Sequence, residues 1–224
     1  MADLLPLFVN LNRRAVLLVG GGPVAAAKLT QLLAAGARVR VVAPDIRAEI
    51  LAIPEITIAQ RRFEPSDLDG VWLVVAAATP EVNRQVAIVA ETLRVFVNAV
   101  DDPANASAFL SGVVRRDGLT LAISTSGEAP ALTALLREGL DVLLPGDLGS
   151  WMEQARAERV VWRREAVPMD ARKPRLLRAL NALYEPTTEH AKSAEPVPAE
   201  ESALSAVDRG PHVPWLSGPE DSWL

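Results

Sequence analysis

The feature that most constrains this chain is a short apolar run closing on three glycines and a proline, Arg14-Ala-Val-Leu-Leu-Val19 followed by Gly20-Gly21-Gly22-Pro23. A brief branched apolar run bounded by glycine reads as a strand buried on both faces. Proline suits the first helical position, where its missing N–H has no partner to lose, so a helix is expected from Pro23. Gly36 stops that helix after Lys28-Leu-Thr-Gln-Leu-Leu-Ala-Ala35, and Val39-Arg-Val-Val42 reads as a second strand. The unit is a βαβ of about 30 residues, which requires a parallel sheet.

The alternation continues with strands expected at 56–61, 71–76 and 95–97 and a helix at 81–93. Strands alternating with helices specify a doubly wound sheet. After Asp101-Asp102-Pro103 the pattern changes to two short strands, 109–115 and 120–124, around the hairpin turn Asp117-Gly118. A helix at 130–143 and an Arg-rich helical region at 148–183 follow. The fold class is therefore α/β, with a Rossmann-type doubly wound parallel sheet in residues 1–112. A small α+β segment in 113–145 and a helical domain in 146–184 complete the body. Residues 185–224 contain six prolines among Ala, Ser and Glu, with no apolar period, and are expected to be disordered. Trp215 and Trp223 stand out in that tail.

Composition removes several kinds of chemistry. There is no cysteine, which excludes disulfides, thiolate zinc sites, iron–sulfur clusters and a cysteine nucleophile. Both histidines, His190 and His212, lie in the tail, so the body must work with carboxylates, hydroxyls, Lys, Arg or its single Tyr184. The longest apolar run, residues 71–78, falls far short of the roughly 20 residues that span a bilayer. The N-terminus lacks a basic leader, and a cytoplasmic location without membrane partners is expected. Of the net charge of −5, residues 185–224 supply −6, from eight acidic side chains against Lys192 and Arg209, which leaves the body near +1. Its basic excess lies within 151–184 and suits a small anionic partner; no nucleic acid is expected.

The glycine turn fits a dinucleotide fingerprint, Gly20-x-Gly22-x-x-Ala25. The first position permits the turn, the second lets backbone approach a pyrophosphate, and Ala25 lets the helix pack closely with its amides facing the phosphates. Ala43 stands where an acidic residue usually ends the second strand, with Asp45 two residues on and no arginine immediately after to accept a 2′-phosphate. NAD is therefore favoured over NADP.

With these motifs the chain resembles the precorrin-2 dehydrogenase and sirohydrochlorin ferrochelatase family, the module that also forms the N-terminal part of bacterial sirohaem synthase. The resemblance covers about residues 4 to 184. It rests on Leu5-Pro-Leu-Phe-Val-Asn-Leu11, Val19-Gly-Gly-Gly-Pro-Val-Ala25 with Lys28, and Ala35-Gly-Ala-Arg-Val-Arg-Val-Val-Ala-Pro44. It rests further on Val97-Asn-Ala-Val-Asp-Asp-Pro103, Ile123-Ser-Thr-Ser-Gly-Glu-Ala-Pro130 and Leu144-Pro-Gly-Asp-Leu-Gly149.

What the resemblance implies is oxidation of precorrin-2 to sirohydrochlorin with NAD, in some members ferrous iron insertion, and a homodimer built on the segment 113–145. It implies that Asp101 is the essential aspartate, and a transient metal ligand if iron is inserted. It matches Pro23, Val24, Pro44 and Asp45 to cofactor contacts, joining the fingerprint's Gly20, Gly21, Gly22 and Ala25 and the strand-end Ala43. It matches Thr125 to a hydroxyl facing the active site, where Ser124, Ser126 and Gly127 join it as the expected site for the anionic tetrapyrrole. Ala77, Ala108 and Ser111 depart from the family's usual residues.

The residues read alone are compatible with this. Asp101 follows a strand end, the edge where open α/β sheets bind ligands, although an ordinary Asx turn would also explain Asp-Asp-Pro. Ser124 to Gly127 precede a helix, so they could face an acid group or simply cap the helix. Arg115, Arg116 and Arg137 are available to pair with substrate carboxylates, and equally suit the surface. Two other readings stand beside the dehydrogenase. A non-catalytic NAD-sensing module leaves the later motifs without a purpose. A dehydrogenase of a small hydroxy acid is disfavoured because such enzymes commonly use a histidine base.

Overall fold

The computed structural model describes residues 4–184, and the tail with Trp215 and Trp223 lies outside them. The chain divides into two units, one comprising Met1–Gly112 and Ala122–Leu136, the other Val113–Leu121 and the chain from Arg137.

The first unit runs β1 (Ala15–Val19), α1 (Pro23–Ala34), β2 (Arg38–Val42), α2 (Ala48–Leu51), β3 (Thr57–Ala59), β4 (Leu73–Ala76), α3 (Pro80–Leu93) and β5 (Phe96–Ala99). The five strands form a parallel sheet in the order β3-β2-β1-β4-β5. Val19 is level with Val42 and Ala76, and Ala76 with Ala99, so four strands finish along one edge. The chain leaves β1 toward β2 on one side and returns as β4 on the other. Such a switch point is where open α/β sheets hold their ligands.

Alternation of side chains divides the core in two. Val16, Leu18, Val39, Val41, Leu73 and Val75 pack with Ala25, Leu29 and Leu32 of α1. Leu17, Val19, Val42, Val74 and Ala76 pack with Val86, Ala87 and Ala90 of α3. Leu17 and Leu18 are both fully buried although they are neighbours, because the sheet is covered on both faces. Burial of each such side chain contributes about 1.5–3 kcal/mol, and a carboxylate at either position would break a core layer.

The outer edge of β5 is clasped by the chain that follows it. The N–H groups of Ser107 and Ala108 both donate to the Val97 carbonyl at 2.9 Å, and the Val97 N–H donates to Ser107 Oγ at 2.9 Å. Asn98 Nδ2 donates to the Ala108 carbonyl at 2.9 Å. The departure at Ala108 thus leaves a structural role that its backbone alone fulfils.

An ion cluster unforeseen from sequence joins β2 to the turn before β4. Asp67, 1% exposed, accepts from Arg61 Nη1 at 2.8 Å, Arg61 Nη2 at 2.7 Å and the Glu64 N–H at 2.9 Å, and Arg40 Nη2 lies 3.7 Å from its Oδ1. Burial alone would push this carboxyl up, but the Arg61 hydrogen bonds, the Glu64 amide and the two arginine charges together hold it below its usual value.

Beyond β5, the hairpin β6 (Gly112–Arg116) and β7 (Leu119–Ile123) turns at Asp117 and Gly118, whose φ of 50° and 90° match a tight primed turn. The helices α4 (Pro130–Leu143), α5 (Leu148–Arg164) and α6 (Met169–Asn181) follow. Arg116 donates to the Leu144 carbonyl at 3.1 Å and the Asp141 carbonyl at 2.9 Å, and pairs with Asp141 Oδ1 at 2.8 Å. It therefore caps the C-terminal end of α4. Trp151 Nε1 donates to Tyr184 Oη at 2.5 Å, and the Tyr184 hydroxyl donates to Asp147.

Several boundaries differ from expectation. The third strand shortens to three residues because the Arg61 N–H turns back to the Ala59 carbonyl at 2.9 Å. The fifth runs on to Ala99, and the hairpin starts at Gly112 because the preceding residues clasp β5. The helical region at 148–183 is two helices, because the first ends where Ala166 turns left-handed with φ 51° and the Val167 N–H returns to the Trp162 carbonyl at 3.0 Å.

Candidate functional site

The three glycines at the end of β1 are needed for different reasons. Gly20 has φ 131°, and a Cβ there would meet the Ala77 carbonyl oxygen at 2.2 Å. A Cβ on Gly21 would meet the Asp45 carbonyl oxygen at 2.1 Å. Gly22 has φ −85° and nothing within 4 Å of its Cβ direction, so neither backbone nor packing demands glycine there. What remains is the open space itself, which lies over the start of α1, where the amides are unpaired and the first turn carries no acid. That is a cradle a side chain would fill and a pyrophosphate suits. Ala25 is fully buried and seats α1 on the sheet. Pro23, Val24, Pro44 and Asp45 are exposed, while Ala43 is buried at the end of β2.

The second feature is a cavity of about 580 Å³ beyond the ends of β4 and β5, lined by Ala78, Asn83, Arg84, Asp101 and Asp102 among others. Asn83 builds its floor. This side chain, 3% exposed, accepts from the Ala78 N–H at 3.0 Å and donates to the Val100 carbonyl at 3.4 Å, tying the two strand ends together. Sequence reasoning passed over it; its only signal was an amide on the apolar face of α3.

Asp101 and Asp102 differ in their commitments. Asp102 Oδ2 accepts from Asn105 Nδ2 at 2.7 Å, a side-chain bond within the turn rather than the Asx bond to backbone that the motif alone allowed. Asp101 is exposed, has φ 58°, and its carboxylate has no hydrogen bond among the described residues. A non-glycine residue in the left-handed region is uncommon, though aspartate tolerates it, and such positions concentrate at functional sites. The geometry leaves Asp101 available at the ligand edge and spends Asp102 on the turn.

Ser124 to Gly127 come to the same place. A Cβ on Gly127 would meet Pro103 Cγ at 3.1 Å, so this turn packs against the Asp101–Pro103 segment. Thr125 Oγ1 accepts from the Ala129 N–H at 3.1 Å and lies 3.1 Å from Thr133 Oγ1. The Ser126 N–H donates to Ser124 Oγ at 3.1 Å. These hydroxyls thus organise the start of α4. Of the three arginines considered as carboxylate partners, Arg116 is consumed by the end of α4 and Arg137 pairs with Glu138 at 3.3 Å. Arg115 remains exposed.

Known proteins bear on this arrangement. The NAD(P)-binding model NAD_binding_7 matches residues 7–112, and the sirohaem biosynthesis protein central model matches 116–141. The two lie in tandem over most of the described body. The chain is similar to sirohaem biosynthesis proteins in this order of segments. A siroheme synthase of Aeromonas hydrophila is 44% identical over 151 residues, 66% of this chain and 33% of the relative. A siroheme synthase of Photorhabdus laumondii is 44% identical over 152 residues, 66% of this chain and 32% of the relative. The chain spans about a third of the length of these curated relatives. The solved structure of "SirC, precorrin-2 dehydrogenase" is 26% identical and superimposes with a TM-score of 0.58, covering 77% of this chain and 87% of that one. The sheet and glycine turn described above thus lie within the segment matched by the NAD(P)-binding model, which supports a nicotinamide dinucleotide as the cofactor.

Proposed function

We propose that this protein oxidises precorrin-2 to sirohydrochlorin. The observation that carries the reading is the juxtaposition of an uncommitted carboxylate, Asp101, with the switch-point edge that ends in the Gly22 cradle. The open space at Gly22 and the first amides of α1 would hold the pyrophosphate, with Pro23, Val24, Ala43, Pro44 and Asp45 around the rest of the dinucleotide. When bound, NAD supplies the hydride acceptor.

The substrate loses a hydride and a proton, a two-electron oxidation. Asp101 receives the proton, since the described body holds no histidine or cysteine and Asp102 is bonded to Asn105. The Ser124–Gly127 turn, packed on Pro103, bounds the substrate side, and a homodimer through 113–145 completes the assembly. Iron insertion into the product would use the same carboxylate as transient ligand and proton acceptor; its measurement is chelation of ferrous ion by sirohydrochlorin above the spontaneous rate.

The deciding experiment mixes protein, precorrin-2 and NAD and follows nicotinamide absorbance. Growth of the reduced form with release of sirohydrochlorin is expected. NAD binding without turnover would replace this reading with the NAD-sensing module.

A further inference from the structure

Around the Asp101 cavity the charges are arranged asymmetrically. Asp101 and Asp102 lie on the loop after β5, and Arg84 of α3 is the single cation among the described residues that line the space. Arg84 forms no ion pair within 4 Å among the described residues, unlike Arg40, Arg47 and Arg61 of the same unit. The closest acid along its own helix, Glu81, is already served. Its own backbone amide, then the Thr79 hydroxyl, hold the Glu81 carboxyl below its usual range, with Arg84 contributing only through its charge.

Nor is Arg84 free to wander from the cavity at its root. Its neighbour Asn83 is locked by hydrogen bonds to Ala78 and Val100, which fixes this turn of α3 against both strand ends. An exposed guanidinium beside the cavity, in no ion pair within 4 Å among the described residues, is a fork available to an anion. Placing it in one space with a free carboxylate suits a ligand carrying acid groups and N–H donors together.

We infer that Arg84 is a substrate-positioning residue that pairs with a peripheral carboxylate of the tetrapyrrole and so presents the ring's N–H side to Asp101. This rests on the proposed dehydrogenase reading for the identity of the substrate. The claim about Arg84 concerns binding, whereas Asp101 acts on protons. Losing one charge-assisted pair should weaken substrate binding by about 10-fold to 100-fold.

The test uses the full chain with Arg84→Ala and Arg84→Lys. For Arg84→Ala, KM for precorrin-2 should rise about 10-fold or more, while kcat stays within a few-fold and the Kd for NAD is unchanged. Arg84→Lys should recover part of the loss, because it keeps the charge without the fork. An unchanged KM in Arg84→Ala, or a fall in kcat with KM intact, overturns the inference.

If the parent protein fails to turn over precorrin-2, the dehydrogenase reading falls, and Arg84 is then judged by direct binding. Uroporphyrin, a fully oxidised tetrapyrrole with acid side chains, serves as the probe, followed by fluorescence quenching. Weaker binding to Arg84→Ala than to the parent sustains the inference, and equal affinity or no binding to the parent overturns it.

Discussion

The Asp45 carbonyl rests directly on Gly21, so close that a Cβ there would approach its oxygen to 2.1 Å. The contact is reciprocal, since the Arg47 N–H donates to the Gly21 carbonyl at 3.1 Å. The loop after β2, which carries Pro44 and Asp45, is thereby positioned by the turn after β1. Two stretches that sequence reasoning treated as separate cofactor contacts form one rigid piece.

Substitutions within the glycine turn should separate fold from binding. Gly21→Ala drives a methyl into backbone and should cost about 1–3 kcal/mol, visible as a lower urea midpoint. Gly22→Asp meets no atom, and aspartate is a favoured helix cap, so the midpoint should hold or rise. The same change sets bulk and negative charge in the cradle and should abolish NAD binding by calorimetry. Unimpaired NAD affinity in folded Gly22→Asp would place the pyrophosphate elsewhere.

Asp101→Ala should lower turnover by about 10² to 10⁴ with NAD affinity nearly unchanged. Asp102→Ala removes only the bond to Asn105 and should cost stability rather than chemistry. Steady-state kinetics on both variants decide this; near-normal turnover of Asp101→Ala moves the base to another group.

The buried Asp67 predicts a response to acid. Its folded pKa lies below the ordinary 3.8, so its charged pairing stabilises the protein fully above about pH 4 and is lost as pH falls through the lower folded value. Asp67→Asn leaves the solvent-exposed Arg61 and Arg40 facing a neutral group and should cost about 1–3 kcal/mol at neutral pH. The difference in urea midpoint between parent and variant should shrink below pH 4. A difference independent of pH would mean the site is held by shape alone.

Much of this was legible from the chain itself. The β1–α1–β2 pattern was readable because glycine, proline and apolar spacing act locally, and α4 was found at its observed ends, 130 to 143, for the same reason. The separate duties of the glycines were not, because Gly21 is dictated by Asp45, which lies 24 positions later and carries no local signal. Asn83, Asp67 and the role of Arg116 were hidden likewise, since each answers a backbone or charge distant in sequence. Asp101 was visible by motif, yet what distinguishes it from Asp102 is a bond that only the folded turn reveals.

The proposed dimer makes its own prediction. No residue of α4 is buried, and Leu135 and Val142 are 65% and 84% exposed. An amphipathic helix left so open calls for a partner surface. Leu135→Asp together with Val142→Asp should shift sedimentation from dimer to monomer without unfolding the NAD-binding unit, as judged by retained NAD affinity. A parent already monomeric at micromolar concentration removes the dimer from the proposal.

The clasp on β5 has a consequence for how such a protein behaves when crowded or partly unfolded. An open strand border invites pairing by any extended peptide, and sheets that leave one bare are prone to fibril growth. Here Ser107 and Ala108 occupy the Val97 groups that would recruit another strand, and the far border, β3, is only three residues long. The sheet is thereby terminated on one side by hydrogen bonds and on the other by brevity. Replacing Ser107 with a residue that lacks the hydroxyl would free the Val97 amide and leave the Val97 carbonyl still covered, loosening one point of a sealed margin.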